Sequence, residues 1–94
     1  MTSEVDLVVG RIVSAQPQPG TRAPSFLLSV DLGPRGREEA TVPQGDHTAE
    51  ALEGLQVVCA VDRGGVLVLA AHSHASGLVF VVPEHEVEDG TTVA

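Results

Sequence analysis

Along most of this chain apolar and polar residues alternate with a period of two, the repeat of an extended strand. The clearest case is residues 25–32, where Phe26, Leu28, Val30 and Leu32 alternate with Leu27, Ser29 and Asp31 and give one apolar face. Upstream, residues 6–15 place Leu7, Val9 and Val13 on one side and Val8, Gly10 and Ile12 on the other. Both sides are largely apolar, which predicts a strand packed on two faces. Gln16-Pro17-Gln18-Pro19-Gly20 ends it, because proline removes ladder donors and glycine permits a turn.

Gly33-Pro34-Arg35-Gly36 reads as a turn, and residues 37–42 return as a third strand until Pro43 and Gly45 interrupt them. Thr48 is placed to cap a short helix containing Ala49, Ala51, Leu52 and Glu53 and ended by Gly54, with Leu52 plugging the core. Residues 56–61 and 66–71 are β-rich runs joined by Asp62-Arg63-Gly64-Gly65, which predicts a second hairpin. A polar loop over 72–77, a strand over 78–82 and an acidic loop over 83–90 complete the pattern. Three strands, a short helix and two or three further strands predict an all-β fold. The architecture is a five-stranded OB-fold Greek-key barrel with one short helix between strands 3 and 4. An SH3-like barrel is the alternative, and the helix favours the OB type. At 94 residues the expectation is one domain spanning 1–94.

Composition narrows the chemistry. Trp and Tyr are absent and Phe26 and Phe80 are the only aromatics, so the core is aliphatic and β-branched. Five Arg and no Lys stand against thirteen acidic residues, giving a net charge of −8. Phosphate backbones are held by Lys and Arg, so this balance opposes strong nonspecific nucleic-acid binding. No apolar run reaches the roughly 20 residues of a membrane span, and the opening Met1-Thr2-Ser3-Glu4 has no export-signal character. A soluble protein with a cytoplasmic location and no membrane partner is expected. Cys59, between Val58 and Ala60, is the single cysteine and reads as a small buried hydrophobe.

Catalytic and metal chemistry find little support. His72 and His74 sit in the polar loop, and joining them to His47 or His85 as ligands has no spacing behind it, so solvated loop histidines are expected. Ser14, Ser25, Ser29, Ser73 and Ser76 lack an elbow-type glycine context. Glu84, Glu86, Glu88 and Asp89 lack calcium-loop spacing and read as a solvated acidic turn. Gly64-Gly65 and the turn at 33–36 precede no helix, as a phosphate loop would require. No enzyme activity, metal or cofactor is expected.

Three stretches carry a resemblance: residues 6–13 (Asp-Leu-Val-Val-Gly-Arg-Ile-Val), residues 23–33 (Ala-Pro-Ser-Phe-Leu-Leu-Ser-Val-Asp-Leu-Gly) and residues 50–58 (Glu-Ala-Leu-Glu-Gly-Leu-Gln-Val-Val). With residues 66–71, Val81-Val82-Pro83-Glu84 and Gly90-Thr91-Thr92-Val93, the chain resembles the free-standing tRNA-binding-domain family, and within it the CsaA-type secretion chaperones. The resemblance implies an OB-fold, a homodimer, and binding of tRNA or, in the chaperone branch, of unfolded polypeptide. By position it implies an RNA-binding or peptide-binding site of Arg11, Arg22, Ser25, Thr41, Gln44 and Arg63, with Arg contacting phosphate and polar side chains contacting bases or peptide groups. The leading expectation is a tRNA-binding module, with a chaperone-like polypeptide-binding module as the alternative. The chain departs from the family where its basic loop between the fourth and fifth strands shrinks to Asp62-Arg63-Gly64-Gly65. Leu27 or Leu28 also stands where the family's second strand carries Lys.

Overall fold

Three strands form an antiparallel meander: β1 (Asp6–Pro17), β2 (Ser25–Asp31) and β3 (Arg37–Pro43). A 3-10 turn, Gly33–Arg35, joins the last two, and α1 (Ala49–Leu52) follows β3. Then come β4 (Gln56–Asp62), β5 (Gly65–Val68), β6 (Ala70–Ser73) and β7 (Gly77–Phe80). This computed structural model describes residues 5–93; residues 1–4, on which the expectation about an export signal rests, and residue 94 lie outside it.

The main sheet runs β3-β2-β1-β4-β5, and β5 comes back against β3, so the sheet is a nearly closed OB-type barrel. A two-stranded β6–β7 sheet stands beside it. Inward residues of the barrel form one buried cluster, with Val8 and Ile12 from β1, Leu28 and Val30 from β2, and Val57 and Cys59 from β4 fully enclosed. Burying each such aliphatic side chain contributes about 1.5–3 kcal/mol. Gly10 sits among them because a Cβ there would lie 2.6 Å from Val30 Cγ1. The helix enters as the sequence predicts. Thr48 Oγ1 accepts from Ala51 N–H at 3.2 Å and caps it. Leu52 is buried against the barrel.

The second half departs from the expected pattern. The run over 66–71 is broken at Leu69, which donates its N–H to Val58 O at 3.0 Å and accepts from Val81 N–H at 3.2 Å. The strand thereby changes partner from β4 to β7. His72 and Ser73 belong to β6 rather than to a loop, and only residues 74–76 form the turn. The two-face expectation for β1 holds in part: Val9 is buried outside the core cluster, while Leu7 and Val13 are exposed.

Beyond β7 the chain returns along the first half of β1. Gly90 N–H donates to Val9 O at 2.6 Å, Val9 N–H to Thr91 O at 2.8 Å and Val93 N–H to Leu7 O at 2.8 Å. The returning segment meets the 3-10 turn so closely that a Cβ on Gly33 (φ +65°) would lie 2.0 Å from Asp89 O. Gly36 has a similar φ of +87° with nothing near its Cβ position. Gly36→Ala should therefore cost only backbone strain, about 1–3 kcal/mol for a φ of +87° with ψ of −163°, a region that glycine alone adopts readily. Gly33→Ala, which adds a backbone collision, should cost about 3 kcal/mol or more in urea denaturation. Equal effects of the two would show that the close approach carries no stability.

Burial pushes the Cys59 thiol from its ordinary 9.0 up to about 11. The folded state therefore holds this proton to higher pH than the unfolded chain does. That contribution is complete below about pH 9 and is lost as pH rises towards 11. Within this window stability should fall with a slope approaching about 1.4 kcal/mol per pH unit. Neither Lys nor Tyr titrates there, because the sequence has none. Urea midpoints measured from pH 8 to 11 should flatten in Cys59→Ala; an unchanged slope would assign the effect elsewhere.

Candidate functional site

The six residues implied by the resemblance do not form one patch. Four converge where the β1–β2 loop meets the end of β3. There Gln44 N–H donates to Pro24 O at 3.0 Å and Gln44 Nε2 to Ser25 O at 3.3 Å. Thr41 Oγ1 donates to Gln18 Oε1 at 3.4 Å, and Ser25 Oγ to Ala23 O at 3.2 Å. Arg22 is exposed on the same loop. Arg63 lies in the β4–β5 turn, which the β1–β4 register puts beside the start of β1 and so at the opposite end of the barrel.

Arg11 is committed elsewhere. Its Nε donates to both Asp89 carboxylate oxygens at 3.2 and 3.3 Å, its Nη2 pairs with Glu86, and its Nη1 donates to Gly54 O at 3.0 Å. Hydrogen bonds to Glu86 and then Asp89 hold the guanidinium above its ordinary pKa. Gln56 lies opposite Arg11 in the sheet and is the buried polar side chain among the described residues. Its Nε2 donates to Val87 O at 2.7 Å and Asp89 Oδ1 at 2.8 Å, and its Oε1 accepts from Val87 N–H at 3.1 Å. Two of the acidic residues expected to be solvated are thus the partners of the sheet's central cation.

The other arginines are scattered as well. Arg35 pairs with Asp6 at 3.0 Å, and Arg37 sits opposite Asp31. No basic face emerges. A phosphate would have to displace carboxylates to reach Arg11.

A groove of about 270 Å³ opens between β3 and the β5–β6 strand. Residues 41–43 form one wall, residues 67–70 with His72 form the other, and Leu78 and Phe80 lie between them. None of these carries a fixed charge. The ring of His47 packs on Phe80 with centroids 4.9 Å apart, and a Cβ on Gly45 would sit 3.5 Å from Leu78 Cβ, so the loop after β3 walls one end. Sequence reading missed this groove. Its signal was the alternation of Leu78 and Phe80 with exposed Val79, but only the partner switch at Leu69 turns those residues towards β3.

Among the described residues no group of three His, Cys, Asp or Glu side chains is placed to hold a metal ion. No described helix is long and apolar enough to cross a membrane.

Neither a protein-family model nor a curated protein matches the chain. Solved structures do. Chaperone CsaA from Bacillus anthracis str. Ames is 28% identical, with a TM-score of 0.82 over 96% of this chain and 91% of that one. The chain's structural relatives are CsaA-type proteins. The CsaA chaperone protein from Picrophilus torridus superposes over the full length of both chains with a TM-score of 0.86 at 19% identity. A MetRS-related protein from Pyrococcus horikoshii matches at 0.75 and 20% identity, over 96% and 90% of the two chains. The last two show the shared fold. The fold of the CsaA-type proteins is thus kept here with a central arginine tied to the returning C-terminal segment.

Asp89→Ala removes the carboxylate that Arg11 and Gln56 share. Hydrogen exchange at the Val9, Gly90 and Val93 amides should accelerate about tenfold or more, with core β2 amides unaffected. Glu86→Gln, at a more exposed site, should change these rates by less than about threefold. Identical rates in Asp89→Ala and wild type would refute the role given to this carboxylate.

Proposed function

We propose that this chain is a non-catalytic OB-fold module of CsaA type that binds extended polypeptide segments. The observation that carries the reading is the uncharged, largely aliphatic groove between β3 and β5–β6, set in a protein of net charge −8. Apolar walls fit the side chains of an unfolded segment, and the acidic surroundings favour segments that also carry Lys or Arg. The likeness to CsaA chaperones supports it. On this reading the chain works as one domain, in the cytoplasm, and as the homodimer that the resemblance implies.

A tRNA-binding reading draws on a different observation, the convergence of Arg22, Ser25, Thr41 and Gln44 at one end of the barrel. Against it stand the net charge, the committed Arg11 and the lack of Trp and Tyr for base stacking.

Fluorescence anisotropy separates the two. A short peptide of alternating Val and Lys should bind saturably at roughly micromolar Kd. Binding should weaken about tenfold or more in Leu67→Asp, which places a charge at an exposed position on the groove wall. Binding of tRNA that falls with salt and disappears in Arg22→Ala/Arg63→Ala, with no saturable peptide binding, would replace the polypeptide reading with the RNA one.

A further inference from the structure

We propose that the polypeptide enters the groove as an added β-strand on the open edge of β6, hydrogen-bonded to the backbone of Ala70 and His72. This rests on the polypeptide-binding reading above and specifies how the segment is held. The direction of the backbone groups follows from the register. Val81 N–H donates to Leu69 O, and the same pairing continues through Ala71↔Val79 and Ser73↔Gly77. In an antiparallel ladder alternate residues exchange hydrogen bonds with the partner while those between point the other way. Ala71 and Ser73 therefore bond to β7, and Ala70 and His72 direct their N–H and C=O groups away from it, into the groove that both residues line.

Nothing in the described chain takes up those groups. No ladder joins β6 to β3, and no turn or side-chain bond reaches Ala70 or His72. An open backbone edge and an apolar floor of Leu78 and Phe80 thus occur in the same place, which is what strand addition uses: main-chain bonds for affinity and alternate side chains for fit.

The occupant that fits is an extended segment with aliphatic residues at every second position, facing the groove, and Lys or Arg between them, facing an acidic protein. Charge decides against an acidic segment, because net charge −8 repels it and Glu38 and Glu39 stand exposed on β3.

The test compares the alternating Val/Lys peptide with the same peptide N-methylated at alternate amides, once in each of the two alternating sets. Strand addition requires that one methylated set binds about tenfold or more weakly and the other stays within about twofold of the parent. On the protein side, His72→Pro removes only an N–H that points away from β7, where an edge strand tolerates proline. It should weaken binding as methylation does, while His72→Ala should not. If the parent peptide binds and neither methylation nor His72→Pro weakens it, strand addition is wrong and the polypeptide reading stands. If the parent does not bind at all, the polypeptide reading fails and this inference falls with it.

Discussion

A single carboxylate, that of Asp89, accepts hydrogen bonds from Arg11 on β1 and from Gln56 on β4, and much of the barrel's first half is arranged around it. β2 pairs with β1 only from Arg11 onward, so the first half of β1 needs another partner on that edge. The returning C-terminal segment supplies it. Backbone bonds at Leu7 and Val9 align that segment, and the side chains of Arg11 and Gln56 fix its position along the strand. A buried Gln in this place is satisfied only while the segment stays down, since two of its bonds go to Val87 and one to Asp89. The glycines at 33 and 90 follow from the same constraint, because only a backbone without Cβ lets the 3-10 turn and the segment approach so closely.

That arrangement has a chemical consequence. In an OB barrel a central arginine is a natural phosphate ligand, but here Glu86 and Asp89 neutralise it and Gly54 O takes a further N–H. The remaining arginines stand at opposite ends or beside aspartates. Acidic composition and local pairing therefore act in the same direction. On the proposed reading, the surface left for recognition is apolar and backbone-based rather than cationic. A fold shared at 28% and 19% identity with CsaA-type proteins fits this, since alternation of aliphatic residues is enough to keep the barrel while the side chains around it change.

The elements from β1 to β4 were legible in the sequence because each is set by a local rule: the period-two pattern of Phe26 to Leu32, the Thr48 cap, the glycine after α1, and the apolar run around Cys59. Where two non-local partners compete, the pattern is silent. Residues 66–71 read as one strand because all of them suit a strand, yet Leu69 divides its hydrogen bonds between β4 and Val81. The same limit hid the candidate site. Gln56 is a lone polar residue in an apolar run opposite Arg11, a visible sign of a buried polar tie, but its acceptors lie more than thirty positions further on. Four residues named by resemblance do meet, at the end of β3, because the β2–β3 register brings the loop before β2 to the loop after β3.

An open edge beside an apolar groove is also an aggregation hazard, and the chain carries restraints against it. β6 and β7 are four residues each, too short to template a long ladder. Pro43 on the facing wall has no N–H to offer, and Glu38 and Glu39 put like charge further along β3, itself an edge strand of the main sheet. These features oppose self-pairing while leaving a short, basic, extended segment free to pair. Restraint of this kind would be superfluous on an edge that were merely structural and permanently covered; it suits one that is left open to be filled by a different chain.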